Sequence, residues 1–201
     1  MSKTLKIFAA AGCLLASAVS ANANLIVNGS FEDPAFGPGG PTWGLYTQIP
    51  GWTSSGPNIE IGTAATYGVT GQDGNNVMEL DSTGNVEVSQ ILTTPGEYVL
   101  SFLFAQRSGV STTSGSFEIW WNGVSIVSLA PTSTLMALYT ASVSATGQDT
   151  LTFKGTGTSD SYGALVDDVQ LNRVPDASST LALLGGVLVM IGAAARRREL
   201  A

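Results

Sequence analysis

Apolar and polar side chains alternate through the middle of this 201-residue chain, and this period-two pattern limits the fold more than any other feature. Tyr98, Leu100, Phe102 and Phe104 share one face of an extended segment, because successive side chains of a strand point to opposite sides. The alternation recurs at Phe117, Ile119 and Trp121, at Leu151 and Phe153, and at Leu165, Val169 and Leu171. No helical pattern competes with it, so the sequence predicts an all-β fold.

Turn-forming residues separate these runs at short intervals. They are Pro95-Gly96, Asn122-Gly123, Thr146-Gly147 and Gly155 to Gly157. Strands at this spacing favour a β-sandwich, and the Gly- and Pro-rich section from Asp33 to Gly74 is expected to form loops at its ends. Asn24 to Arg173 has the length of one domain and can bury a core.

The predicted domain is strongly acidic. It carries thirteen acidic residues against three basic ones, Arg107, Lys154 and Arg173. This balance argues against nucleic acid, whose phosphates require a basic surface. It also argues against anionic polysaccharides unless a cation bridges them, and leaves neutral glycans, cations and protein surfaces as partners.

Catalytic groups are scarce, and we expect the protein not to be an enzyme. The chain has no histidine, and its one cysteine, Cys13, falls in a predicted signal peptide. Glu79 and Asp81 share a strand face, but Gly84 stands where a glucanase-like Glu-x-Asp-x-x-Glu pattern needs its second glutamate. The alternative is that Glu79 and Asp81 merely face solvent beside Met78.

Both ends of the chain indicate export. Lys3 and Lys6, an apolar stretch from Ile7 to Val19, and Ala21-Asn22-Ala23 predict a signal peptide over residues 1–23. Near the other end, Leu181 to Ala195 is apolar and precedes three arginines, which predicts a transmembrane helix with its basic end in the cytoplasm. The run is shorter than the roughly 20 residues that span a bilayer, so it is a poor permanent anchor.

The last 28 residues resemble a known sorting signal. Val174, Pro175 and Asp176 precede the apolar run, and Arg196, Arg197 and Arg198 follow it; this order resembles the Val-Pro-Asp variant of the PEP-CTERM signal over residues 174–201. Ala177 replaces the glycine common in that variant. The resemblance implies recognition by an exosortase-type membrane protease, transient membrane anchoring, and a final location at the bacterial cell surface or in the extracellular matrix.

The domain between these ends, residues 24–173, resembles the galactose-binding-like jelly rolls and the DUF642-related secreted family. The matching marks are Asn28-Gly29-x-Phe31-Glu32, Pro50-Gly51-Trp52, Gly74-Asn75-x-x-Met78-Glu79-Leu80-Asp81, Pro95-Gly96-x-Tyr98-x-Leu100-x-Phe102, Trp121-Asn122-Gly123 and Asp160-Ser161-Tyr162-Gly163-x-x-x-Asp167-Asp168-Val169. The resemblance implies a jelly-roll β-sandwich whose first strand covers Leu25 to Glu32 and whose last covers Gly163 to Leu171. Many carbohydrate-binding modules belong to this group.

Strand parity singles out Asp167 as a candidate metal ligand. If Leu165, Val169 and Leu171 face the core, Asp167 shares that face, and Asp168 points away. A carboxylate directed inward needs a partner, and oxygen-rich sites select Ca²⁺. The resemblance implies a structural calcium ion held by Glu32 and Asp167, with Asp168 as a substitute. Alternatively, Asp167 accepts backbone hydrogen bonds at an exposed rim.

Aromatic residues are the candidate carbohydrate contacts, because sugar rings stack on exposed Trp and Tyr faces. The candidates are Trp43, Tyr46, Trp52 and Trp120, whereas Trp121 is expected in the core. For Trp52 the alternative is that it plugs one end of the sandwich. Two functions follow: a module that binds exopolysaccharide or another neutral glycan, or a structural surface or matrix protein without a small-molecule ligand.

Overall fold

A computed structural model of the chain describes residues 24–174. The predicted signal peptide and most of the predicted sorting signal, including Pro175, Asp176 and Arg196 to Arg198, lie outside the described residues. Val174, the first residue of the motif, is exposed. Between residues 24 and 174, no helix is long and apolar enough to cross a membrane.

The described domain is almost entirely β-structure. Its strands are β1 (Trp43–Tyr46), β2 (Gln48–Ile49), β3 (Trp52–Ser54), β4 (Ile59–Thr63), β5 (Asn76–Glu79), β6 (Glu87–Leu92), β7 (Gly96–Gln106), β8 (Phe117–Trp121), β9 (Val124–Leu129), β10 (Ala137–Ala145), β11 (Asp149–Gly155) and β12 (Ala164–Arg173), with one short helix, α1 (Ala64–Tyr67), after β4. The all-β prediction is confirmed.

The strands form two six-stranded sheets whose pairings are all antiparallel. The first sheet has the order β1-β4-β5-β12-β7-β10, and the second β2-β3-β6-β11-β8-β9. Buried apolar residues from both sheets meet in the main core, among them Phe102, Phe117 and Phe153. The predicted β-sandwich is therefore confirmed at the level of two packed sheets.

Local turn chemistry accounts for the connection between β8 and β9. Asn122 and Gly123 have φ values of 51° and 77°. A two-residue hairpin of this kind needs positive φ at both positions, which Asn and Gly tolerate. The predicted turn is confirmed, and it keeps Trp121 in the core and Trp120 on the outer face of the second sheet.

One expectation for the first half of the domain is incomplete and one is wrong. The section from Asp33 to Gly74 is rich in loops, but it also contains β1 to β4 and α1. Leu25 to Glu32 is not a strand, although Leu25 N–H donates to the Leu171 carbonyl at 3.2 Å. Asn28 and Phe31 have φ values of 52° and 55°, which bend this segment out of extended geometry.

A bulge in β12 overturns the predicted side-chain parity. The pairing with β7 shifts between Asp167 and Gln170, where Asp168 has a φ of 45°. One inserted residue moves the following side chains to the other face. Val169 therefore packs in the main core, whereas Leu165, on the Asp167 side of the bulge, packs in a second cluster outside the first sheet.

The second cluster covers part of the outer face of the first sheet. It contains Ala64, Tyr67, Val69, Val77, Ala105, Met136 and Leu165. Because α1 and the segments around residues 69 and 136 lie over the strands, the polar side chains on this outer face become buried as well. This arrangement creates the site described next.

Candidate functional site

A row of side chains crosses the outer face of the first sheet from β1 to β7. Leu45 pairs with Glu60, Glu60 with Glu79, Glu79 with Leu165, and Leu165 with Ala105. Paired residues of antiparallel strands point to the same side, so two carboxylates lie next to each other in an otherwise apolar row. Glu60 is 7% exposed, and Glu79 is fully buried.

Tyr67 covers this row because of how α1 begins and ends. The Thr63 side chain caps the helix by accepting from Thr66 N–H, and Gly68 ends it in the left-handed conformation at φ 66°. The Tyr67 ring lies against Gly62, where an added Cβ would approach the phenolic oxygen to 2.5 Å. The Tyr67 hydroxyl donates to Glu60 Oε1 at 2.9 Å.

Arg107, just after β7, supplies the positive charge of the site. Its Nη1 donates to Glu79 Oε2 at 2.6 Å. The guanidinium lies 4.8 Å from the ring centroids of both Tyr67 and Tyr162, so it is held between two aromatic faces. Cation–π contact and the ion pair together fix its position.

Burial controls the protonation of the carboxylate pair. Desolvation raises the pKa of Glu79 from 4.5 to about 8, against hydrogen bonds from Arg107 and Gly163 N–H that lower it. Desolvation also raises the pKa of Glu60, opposed by the hydrogen bond from Tyr67. Because the two carboxyl groups are paired on adjacent strands, ionisation of Glu60 also raises the pKa of Glu79.

Asp81 adds a third carboxyl group nearby. It is fully buried, its Oδ2 accepts from Asp160 N–H at 2.9 Å, and its Oδ1 has no hydrogen-bond partner in the described structure. Burial raises its pKa. The expectation that Glu79 and Asp81 face solvent is therefore wrong, because Arg107 and the loop before β12 cover this face.

Glu60, Tyr67 and Arg107 line a cleft of about 310 Å³, which we call the aromatic cleft. It is lined by Trp43, Leu45, Glu60, Thr66, Tyr67, Ser82, Thr83, Arg107, Ser161 and Tyr162. Trp43 and Tyr162 are 49% and 43% exposed, so both rings are accessible at the rim while the charged groups lie below.

The structure separates the four aromatic residues predicted to contact carbohydrate. Trp43 lines the aromatic cleft. Tyr46, on the other face of β1, is partly buried against the main core. Trp52 has no exposed surface and packs between Phe31 and Phe153, so it plugs the sandwich and offers no face to a sugar.

Trp120 lies on the outer face of the opposite sheet. Its indole N–H donates to Glu118 Oε2 at 2.7 Å, and Lys154 Nζ lies 5.2 Å from its ring centroid. Trp120 is half-buried. The core of the sandwich separates the outer face of the second sheet, which carries Trp120, from the outer face of the first sheet, which carries the aromatic cleft. Trp43 and Trp120 therefore cannot belong to one site.

Sequence reasoning missed three residues of the aromatic cleft: Glu60, Arg107 and Tyr162. A signal existed for Glu60, which interrupts an apolar strand as Ile59-Glu60-Ile61, and for Arg107, one of three cations in the domain. A charged residue inside an apolar run needs a partner. The sequence alone offers no means to see that Glu60 and Arg107 line one cleft.

The predicted metal ligands show a partial fit to a cation. Asp167 is fully buried; its Oδ2 accepts from Asp73 N–H at 2.6 Å, and its Oδ1 has no hydrogen-bond partner among the described residues. Burial raises its pKa to about 8. Glu32 Oε1 accepts from Asn75 N–H and Asn76 N–H at 2.7 Å each. Both carboxylates therefore hold the same loop before β5.

Asp168 does not fit the same set. Its Oδ1 accepts from Gln170 Nε2 at 2.7 Å, and the bulge directs it away from Asp167. Within residues 24–174, no group of three acidic, histidine or cysteine side chains has a metal-holding arrangement. Any cation here would need backbone or water oxygens besides Asp167 and Glu32.

Comparison with known proteins identifies distant relatives. No protein-family model matches the chain. Two curated relatives are both named multifunctional-autoprocessing repeats-in-toxin: one from Vibrio vulnificus, 34% identical over 151 residues, and one from Vibrio cholerae serotype O1, 34% identical over 152. Each alignment covers 73% of this chain, but the chain spans only about 3% of the length of the curated relatives it matches.

Solved structures similar to this chain include carbohydrate-binding modules. TmCBM61, in complex with beta-1,4-galactotriose, has a TM-score of 0.48 and 18% identity, covering 76% of this chain and 99% of that chain. CBM35 from Paenibacillus barcinonensis has a TM-score of 0.41 and 16% identity, covering 67% and 100%. A family 35 carbohydrate-binding module from Clostridium thermocellum has a TM-score of 0.39 and 12% identity, covering 67% of this chain and 100% of that chain. Identities this low do not indicate which residues bind a ligand.

Proposed function

We propose that this domain is a non-catalytic module that binds carbohydrate in the aromatic cleft. The observation that carries the proposal is that Trp43 and Tyr162, both about half exposed, stand at the rim of a concave site whose floor holds Glu60 and Arg107. The cleft volume of about 310 Å³ lies at the lower end of the range of roughly 300–1,000 Å³ that ligand pockets occupy.

The chemistry of the lining suits a sugar. The C–H face of a pyranose ring packs on an indole or phenol ring, and its hydroxyl groups need donors and acceptors at fixed positions. Glu60 supplies acceptor oxygens and Arg107 supplies N–H donors. Because the guanidinium is held by Glu79 and two tyrosine rings, little side-chain entropy is lost when a ligand binds.

The same geometry disfavours glycoside hydrolysis. That reaction uses two carboxyl groups on opposite sides of the scissile bond, roughly 5–9.5 Å apart. Glu60 and Glu79 are instead neighbours on adjacent strands, and Glu79 is fully buried and held by Arg107. They cannot flank a substrate.

A glycan array followed by calorimetry tests the proposal. The Trp43→Ala and Tyr162→Ala variants should each weaken binding of any retained oligosaccharide by about tenfold or more, since stacking on one ring is lost. Trp120→Ala, a matched change on the opposite sheet, should leave affinity unchanged. If the wild-type domain retains no glycan, or if only Trp120→Ala weakens binding, the proposal fails.

A structural role in a surface matrix is the second candidate, and one observation favours it. Strand β10 forms an edge of the first sheet, carries no charged residue, and exposes 65% of Leu138. Unprotected edge strands of this kind can pair with another chain. Concentration-dependent association that is abolished by Leu138→Lys, in a protein that binds no glycan, would favour this candidate.

We also propose that Asp167 and Glu32 hold a structural Ca²⁺ ion, which would supply positive charge to the unpartnered Asp167 oxygen. The Asp167→Asn variant shows whether Ca²⁺ is bound, because the two cases predict opposite changes in the melting temperature. If Ca²⁺ is bound, the variant and a chelator should both lower the melting temperature. If the site holds no cation, the chelator has no effect and the variant raises the melting temperature above about pH 8, where the buried Asp167 carboxyl group would otherwise ionise.

Finally, we propose that the protein is exported and sorted at the membrane. The support is in the sequence: residues 1–23 resemble a signal peptide, and Val174, Pro175 and Asp176, with Arg196 to Arg198, resemble a PEP-CTERM signal. Mass spectrometry of the extracellular form should show an N-terminus near Asn24 and a C-terminus near Pro175. Recovery of the intact chain from the cytosol would contradict this proposal.

A further inference from the structure

We infer that two copies of this chain pair through strand β10, so that their two aromatic clefts open on the same side and bind one glycan surface together. The inference rests on the proposed carbohydrate binding and adds bivalency to it, with a second copy of the chain as the partner. The observation behind it is that β10 is an edge strand without the usual protections.

The four edge strands of the described sheets differ in how they are protected. Strands β1 and β2 have only four and two residues, and the pairing of β9 with β8 shifts register between Ile119 and Trp120. Strand β10 has nine residues, pairs with β7 in unbroken register, and contains no charged residue and no proline. Short length, charges, proline and bulges are what keep sheet edges from pairing. Strand β10 is therefore the described edge that is open to another strand.

Alternate residues of β10 direct their backbone groups away from β7. The Glu97 carbonyl of β7 accepts from Val174 N–H at 2.8 Å, so the backbone groups of Glu97 point toward the β12 side. Ser144, which pairs with Glu97, therefore directs its own backbone groups to the free edge. By alternation, the same holds for Leu138, Thr140 and Ser142.

Both ends of this free edge already have partners. The Thr70 carbonyl accepts from Met136 N–H at 2.9 Å, and the Ser144 carbonyl accepts from Trp121 Nε1–H at 3.1 Å. The residues between them have no backbone partner on this side among residues 24–174. The open stretch is therefore centred on Thr140.

A second copy fits this stretch by two-fold symmetry. With Thr140 on the axis, Leu138 of each copy pairs with Ser142 of the other, and Thr140 pairs with its own counterpart. Each pair exchanges two hydrogen bonds, so the three free N–H and three free C=O groups of each copy all find partners. Threonine side chains that lie opposite each other across two strands add a favourable contact.

The charge of the domain favours a second copy at this edge over a basic partner. Thirteen acidic against three basic residues make two copies repel each other over most of their surfaces, and attract a basic protein to those same surfaces. No charged residue occurs from Ile119 to Gln148, a range that includes β9 and β10. Two copies therefore meet the least repulsion at the β10 edge.

The pairing places both aromatic clefts on one side of a continuous sheet. The axis of an antiparallel strand pair is perpendicular to the sheet, so the outer faces of both copies point the same way. At about 4.8 Å between strands and about 3.3 Å per residue, Glu79 of one copy lies about 40 Å from Glu79 of the other. Two clefts on one scaffold raise the apparent affinity for a surface that carries many ligands.

Disulfide trapping tests the pairing. Cys13 is the only cysteine of the chain, so Thr140→Cys in a full-length Cys13→Ser background carries a single thiol. The Cα atoms of a hydrogen-bonded pair on the axis are about 5.5 Å apart, which a disulfide can bridge. Mild oxidation should give a covalent dimer, whereas Ser128→Cys, at an exposed position on edge strand β9, should stay monomeric. A monomeric Thr140→Cys protein, or equal dimer in both variants, would overturn the inference.

Binding to an immobilised glycan tests the bivalency. Thr140→Lys puts two like charges face to face on the axis, which opposes pairing. It should lower the apparent affinity for a densely immobilised glycan retained on the array by about tenfold or more, and leave the affinity for the same glycan as a free short oligosaccharide unchanged. Ser128→Lys adds the same charge on β9 and should bind both forms like wild type.

The outcomes separate this inference from the proposed function. If trapping succeeds but Thr140→Lys binds the dense glycan as tightly as wild type, bivalency is overturned while carbohydrate binding stands. If Thr140→Lys weakens binding of the free oligosaccharide equally, the change acts on the cleft and bivalency is again overturned. If no glycan of any class is retained, the proposed function and bivalency are overturned together, and a trapped dimer then supports the matrix candidate.

Discussion

Glu60 and Glu79 face each other on neighbouring strands, and they have different partners. Glu79 holds Arg107 at 2.6 Å, whereas Glu60 holds the Tyr67 hydroxyl at 2.9 Å. Two buried acids beside one guanidinium cannot both ionise without cost. This relationship makes the stability of the domain depend on pH.

Stability should fall as the pH rises from about 4.5 to about 8. The folded-state pKa of Glu79 is raised to about 8 from its ordinary 4.5, so the folded protein binds more protons than the unfolded chain in this window. The stabilisation from protonated Glu79 is therefore fully present below pH 4.5 and is lost as the pH rises through about 8. We expect a loss on the order of a few kcal/mol, measured by urea unfolding across this pH range.

Other titratable groups also act on this pair, and their contributions must be separated from it. They are Tyr67 on α1, Asp81 after β5 and Arg107 after β7. In Glu60→Gln, the free energy of unfolding should depend less on pH, because Glu79 then ionises beside Arg107 with no second acid opposite it. Glu97→Gln, at an exposed position, is the matched control. An unchanged slope in Glu60→Gln would contradict the pairing.

Gly62→Ala should disturb the aromatic cleft from beneath. An added Cβ would lie 2.5 Å from the Tyr67 hydroxyl oxygen and 2.7 Å from its ring, which forces the ring away from the sheet. We expect a destabilisation of about 1–3 kcal/mol in urea unfolding, together with weaker glycan binding. At Gly56 an added Cβ would meet nothing within 4 Å, so Gly56→Ala is the control. Equal stability of the two variants would show that Tyr67 does not lie against β4.

Asp149→Asn should destabilise the turn before β11. The buried Asp149 carboxylate accepts from Thr146 N–H at 2.6 Å, Gly147 N–H at 2.8 Å and Asn122 Nδ2 at 2.8 Å. Burial alone would raise its pKa, but these hydrogen bonds outweigh burial and lower it. An amide at this position would direct a donor at a donor, at a cost of about 1–3 kcal/mol.

The contribution of Asp149 should also depend on pH. Because its folded pKa is lowered, its stabilisation is present above the ordinary value of 3.8 and is lost as the pH falls below it. As the pH falls below 3.8, the free energy of unfolding should therefore decrease less in Asp149→Asn than in wild type. The exposed Asp33→Asn variant should unfold like wild type; acid unfolding that is the same in all three proteins would exclude this role.

The sequence predicts the fold well where one face of a strand is buried and the other is not. Phe117, Ile119 and Trp121 alternate as expected, and Asn122-Gly123 forms the predicted hairpin turn. The predicted side-chain directions are wrong at β12, where the pairing with β7 contains a bulge. The bulge moves the side chains after it to the other face of the sheet, and the residues of β12 themselves give no signal of it. The same local event moved Asp167 out of the main core.

The candidate site was less predictable than the fold. Trp43 stood out because Gly and Pro surround it, but Glu60, Arg107 and Tyr162 come from segments 40 or more residues apart in sequence. The antiparallel register of β4 with β5, and the path of α1 over Gly62, bring the site together. The pairing of β4 with β5 joins residues as far apart in the sequence as Glu60 and Glu79, and no local pattern encodes its register.

The indole N–H signals of the four tryptophans provide the most direct test of where a glycan binds. In nuclear magnetic resonance titrations with an oligosaccharide retained on the glycan array, the Trp43 signal should shift. The Trp52 and Trp121 signals, from rings in the core, should stay in place, as should that of Trp120 on the opposite sheet. A bound glycan that shifts Trp120 and leaves Trp43 unchanged would contradict the account.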